Sequence, residues 1–92
     1  MKSKGFRDFR KELSEAGRFG STAVRVTMDA ALEAWGSDPE RLSELAAMCE
    51  KEAFECRDDE LTGTWLFLYD QVWNYARIHL KQEDYHRFCV SL

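Results

Sequence analysis

The chain contains very little that would interrupt a helix. Its only proline is Pro39, and its five glycines (Gly5, Gly17, Gly20, Gly36 and Gly63) leave long stretches unbroken. These two residue types punctuate backbone structure most strongly, so their scarcity predicts few, long elements and argues against many short strands joined by tight turns. Long apolar runs are missing too. None, Trp65 to Tyr69 included, exceeds five residues, far short of the roughly 20 residues that span a bilayer. The opening Met1-Lys2-Ser3-Lys4-Gly5 is basic but is not followed by an apolar segment, so no secretory leader is read there and a cytosolic location is expected. Cysteine is sparse: Cys49, Cys56 and Cys89 are odd in number and sit in helical patterns, which predicts reduced thiols and not a disulfide framework.

Motifs that carry chemistry are absent as well. No glycine-flanked nucleophile elbow, phosphate-cradling loop or paired-carboxylate pattern positions a catalytic group, so no enzymatic activity is expected. Cys49 and Cys56 could in principle converge with His79, His86 and Cys89 from a second helix. Structural zinc sites, however, present ligands two to four residues apart, and only His86 with Cys89 does so. The run of carboxylates around Asp58 lacks the alternating Asp/Asn ligands and central glycine of a calcium loop. Neither a metal nor a cofactor is predicted.

What the chain does have is core material and helical spacing. Apolar residues make up 45% of it, including six Phe, three Trp and three Tyr, which is enough to fold 92 residues as one helical domain over 1–92. Residues 1–5 read as a flexible tail. A core of this size leaves modest net stability, so self-association into a homodimer is a natural supplement.

Phe6, Phe9, Leu13 and Ala16 recur at helical spacing before Gly17, giving a first helix. Ser21 is expected to cap a second, with Val24, Met28, Ala31, Leu32 and Trp35 on one face. The β-branched Val24, Val26 and Thr27 favour a short strand there, but the helical spacing outweighs them. Ser37-Asp38-Pro39-Glu40 signals a third helix, with a capping side chain, a first-turn proline and a glutamate placed for a capping box. Its apolar stripe is Leu42, Leu45, Ala46, Cys49 and Ala53, ending near Glu55.

Asp58, Asp59 and Glu60 supply the next start. Leu61, Trp65, Leu68, Val72 and Ala76 form the stripe of this helix, and Leu66, Tyr69 and Trp73 widen it, so it should be covered on more than one side. Gly63 near its start reads as a helix-crossing point. Gln82 to Leu92 is either a continuation or a separate short helix. The fold class expected is therefore all-α: a small bundle of four to five mostly antiparallel helices, with the aromatic-rich helix 59–80 at its centre.

Charge divides along the sequence. Lys2, Lys4, Arg7, Arg10, Lys11 and Arg18 make the first 18 residues basic, whereas eleven carboxylates crowd between Asp29 and Glu60. Helices that begin with acidic groups repel phosphates, which counts against a helix-turn-helix reader. An acidic surface combined with aromatic side chains suits protein binding better. The function expected is a small regulator or inhibitor that docks on a larger, basic protein. Its contact residues would be Glu50, Glu52, Glu55, Asp58, Asp59 and Glu60, together with Trp73, Tyr75 and Tyr85. One alternative is a nucleic-acid-associated regulator using Lys2, Lys4, Arg7, Arg10, Lys11 and Arg18 as phosphate contacts. The other is a self-assembling structural subunit.

Overall fold

The computed structural model describes residues 5–92 and contains five helices: α1 (Phe6–Ala16), α2 (Ser21–Trp35), α3 (Pro39–Glu55), α4 (Asp59–His79) and α5 (Gln82–Ser91). The described residues include no strand. Val24 and Thr27 are helical after all. Val24 is fully buried, and the Thr27 hydroxyl donates to the Ala23 carbonyl at 2.8 Å, so tertiary burial and a local back-bond override the β preference. Lys2, Lys4 and most of the expected tail lie outside the described residues, but Gly5 is the N-cap of α1, accepting at its carbonyl from the Asp8 and Phe9 amides.

Two acidic caps set the later helix starts. Asp38 accepts from the amides of Glu40 and Arg41, and Asp58 accepts from those of Glu60 and Leu61. Each pairs amides that the first turn leaves without partners. With Asp38 as the cap, Glu40 is too early in the helix to close the expected capping box; its carboxylate turns to Arg87 of α5, 2.6 Å away. Ser21 also differs from expectation. Gly20, at φ 108°, is the N-cap of α2, a backbone angle that favours glycine, and Ser21 follows as the first helical residue. The Ser21 hydroxyl instead lies 2.9 Å from that of Thr64 in α4.

These cross-contacts fix the topology. Phe6 and Phe9 pack on Trp35 with ring centroids 5.2 and 4.3 Å away, closing α1 and α2 into an antiparallel hairpin. Hairpin α3–α4 lies beside it, with α2 running parallel to α4 and α1 parallel to α3. The Ser21–Thr64 and Gly36–Tyr75 contacts tie the first pair; the second is tied by the Arg41 guanidinium 4.6 Å from the Phe6 ring and by Ser14 donating to Glu52. The interior holds Trp65, Leu13, Met28, Leu42, Leu45 and Leu68, each fully buried. Removing such a side chain from water is worth about 1.5–3 kcal/mol. The predicted stripe of α3 is buried at every position from Leu42 to Ala53.

Helix α5 is separate from α4, with the break at Leu80 and Lys81. It covers the N-terminal half of α3 and the C-terminal half of α4. Phe88 is fully buried there, 4.9 Å from the Trp73 ring, with Tyr85 beside both.

Gly63 is not a crossing point. It is exposed, and a Cβ added there would meet nothing within 4 Å. The fold gives no reason for a glycine that costs a helix interior about 1 kcal/mol relative to alanine. The close approach is at Gly36, where an added Cβ would overlap the Tyr75 ring and the Leu32 carbonyl oxygen.

Candidate docking surface

The α3–α4 turn gathers the acidic residues. Glu55 lies in the last turn of α3, Asp58 is the cap of α4, and Asp59 and Glu60 open its first turn. All four are exposed, as is Glu50; Glu52 is half-buried and accepts from Ser14 of α1 at 3.3 Å. Asp58 and Glu60 share a shallow groove of about 310 Å³ with Arg18, Phe19 and Ser21 of the neighbouring turn. Four of the six predicted acidic contacts, Glu55, Asp58, Asp59 and Glu60, are thus brought to one end of the bundle, while Glu50 lies further along α3 and Glu52 faces α1.

The aromatic half is elsewhere. Trp73 and Tyr85 pack with Phe88 under α5, and Tyr75 lies over Gly36 with its ring 4.3 Å from that of His79. All three are half-buried and lean on the core. Trp65 is fully buried, and Trp35 and Tyr69 are packed at its edge.

The bare apolar side chains are others. Phe54 on α3 is 83% exposed, and Leu66 and Phe67 on α4 are 53% and 56% exposed. Leu66 was expected to widen the buried stripe, but α5, which covers Trp73 on the same side of α4, does not extend to it, so Leu66 is left exposed at the α3 edge. Phe54 and Leu66 line an apolar notch of about 150 Å³ with Ala53 and Thr62. Phe67 lies on the other flank of α4, where the Arg25 guanidinium sits 5.1 Å from its ring. Phe19, 81% exposed, tips the α1–α2 turn. Sequence reasoning looked for surplus Trp and Tyr and passed over these phenylalanines. The signal was angular: Phe54 falls outside the stripe through Cys49 and Ala53, and Phe67 shares its side of the helix with Gln71 and Asn74.

The basic residues of α1 have a different environment. Arg7, Arg10 and Lys11 are exposed, and Arg10 lines a groove with Glu44, Lys51 and Glu52 of α3. The parallel pairing of α1 with α3 therefore sets carboxylates beside this cationic face.

The thiols differ in environment. Cys49 is fully buried, and burial, reinforced by Glu52, pushes it up to about 12; Cys56 and Cys89 are half-buried, and all three are free. Among the described residues no three His, Cys, Asp or Glu side chains cluster as metal ligands, and no helix is long and apolar enough to cross a membrane. No protein-family model, curated protein or solved structure matches the chain.

Proposed function

We propose that the protein is a small binding module that regulates or inhibits a larger basic protein, docking through the acidic, apolar surface of α3 and α4. The observation that carries this reading is the pairing of bare Phe54 and Leu66 with carboxylates Glu50, Glu55 and Asp59 around the same helix pair. Exposed apolar side chains supply interface area, and a rim of one sign steers and selects an oppositely charged partner. The contact set differs from the one the sequence suggests: Phe54 and Leu66 take the place of Trp73, Tyr75 and Tyr85, which already pack within the fold. The nucleic-acid alternative is weaker, because phosphates approaching Arg10 also meet Glu44 and Glu52.

Affinity capture from the native host's nuclease-treated lysate tests the reading. Wild type is compared with an E50K/D59K variant and with F54S, leaving Asp58 intact because it caps α4. A stoichiometric protein that survives nuclease and is lost with both variants is the expected result. Recovery of the same proteins by all three forms, or only through nucleic acid, would refute it.

A further inference from the structure

The furrow between α3 and α4 is filled along only half its length. Trp73 follows Leu66 by two helical turns and so shares its side of α4; Glu40 and Phe54, separated by close to four turns, likewise share a side of α3. Helix α5 occupies the half marked by Trp73 and Glu40. The half marked by Leu66 and Phe54 is open.

The mode in which α5 fills its half is visible. One aromatic side chain, Phe88, is fully buried against Trp73, and the adjacent Arg87 reaches a carboxylate of α3, Glu40, at 2.6 Å. The open half repeats those elements. Phe54 and Leu66 flank an apolar notch, Glu50 precedes Phe54 by one turn, and Asp70, one turn after Leu66, stands on the exposed face of α4 between Leu66 and Phe67. Neither carboxylate is in a salt bridge among the described residues. The backbone of α3 and α4 is closed within its own helices and offers no strand edge, so an occupant must satisfy its own main-chain groups, as a helix does.

We propose that the open half of the α3–α4 furrow receives a basic amphipathic helix from the partner protein, seated in line with α5 and in the same manner. A large apolar anchor fills the notch between Phe54 and Leu66, and arginines beside it meet Glu50 and Asp70. A second copy of this chain fits less well, because it would bring its own acidic α3–α4 region against these carboxylates. This inference rests on the docking surface proposed above and adds the form and charge of what docks.

The probe is a synthetic, helix-stapled peptide of about 15 residues, roughly four turns, with leucines at i, i+3 and i+7 and arginines elsewhere. A scrambled peptide of equal composition and a glutamate-for-arginine peptide serve as controls. Binding to the full chain is mapped by amide chemical shifts. The expected result is perturbation centred on Ala53, Phe54, Thr62 and Leu66, affinity that falls as salt rises, and at least tenfold weaker binding for F54S and for E50K/D70K with melting curves unchanged. Equal binding of the scrambled peptide, or perturbations centred on α1, overturns the proposal. So does a concentration-dependent dimer in sedimentation that F54S abolishes, since that gives the furrow to a second copy. If the peptide fails while the E50K/D59K variant still loses its lysate partner, the helix proposal falls and the docking surface stands. Failure of both experiments removes both.

Discussion

The ring of Tyr75 in α4 rests on Gly36 at the end of α2, leaving no room for a methyl group between them. Gly36→Ala should therefore overpack this contact and destabilise the fold by about 1–3 kcal/mol. Urea unfolding measures it. Tyr75→Ala in the same chain should relieve the part of the penalty that the ring imposes, while the overlap with the Leu32 carbonyl oxygen remains. Strictly additive losses in the double variant would show that the ring is not what excludes the methyl group.

Gly63 carries the opposite sign. Its added Cβ enters open space on an exposed helix face, so Gly63→Ala should stabilise the chain by up to about 1 kcal/mol through helix propensity alone. A thermal melt of the pair G63A and G36A should move in opposite directions from wild type. A lower melting temperature for G63A would mean that the glycine has a role inside the fold.

Asp58 combines two roles that substitution can separate. Asp58→Ala removes the acceptor for the Glu60 and Leu61 amides and should cost about 0.5–2 kcal/mol; Asp58→Asn keeps an acceptor and should cost much less. Both remove one charge from the acidic end. Equal stability of the two variants by denaturant titration would contradict the capping role.

Cys49 predicts an alkaline effect. Its thiol is held up at about 12, against 9.0 unperturbed. Between those values the unfolded chain releases a proton that the folded chain retains, so stability falls as pH rises through this window, by at most about 1.4 kcal/mol per pH unit. Cys49→Ala removes that contribution. Stability profiles of wild type and C49A that run parallel above pH 9 would rule it out.

Helix starts were legible because they are local. Asp38 and Asp58 announce α3 and α4 through side chains that bond amides two and three residues on, and the α3 stripe follows from periodicity. What a neighbouring helix does at a given position is not written locally. The sequence points to Gly63 as the crossing point, whereas the parallel pairing of α2 with α4 brings Tyr75 to Gly36 and leaves Gly63 bare. The candidate site was half legible for the same reason. Carboxylate density could be counted along the chain, whereas the exposure of Phe54, Leu66 and Phe67 depends on how far the neighbouring helices reach round α3 and α4. Apolar character alone assigned Leu66 to the core.

The five helices are not anchored equally. Seven residues of α3 and five of α4 are buried, whereas α5 buries Phe88 alone, with Tyr85 and Cys89 half-buried beside it. The least costly excursion from the native state is then the release of this last helix, which breaks the packing of Phe88, Tyr85 and Cys89 and an exposed ion pair while the remaining bundle persists. Amides of α5 should exchange with solvent well before those of α3, and the emission of Trp73 should report the event. Each release also lengthens the track available on α3 and α4, so the reach of the furrow is set by a local equilibrium as well as by shape.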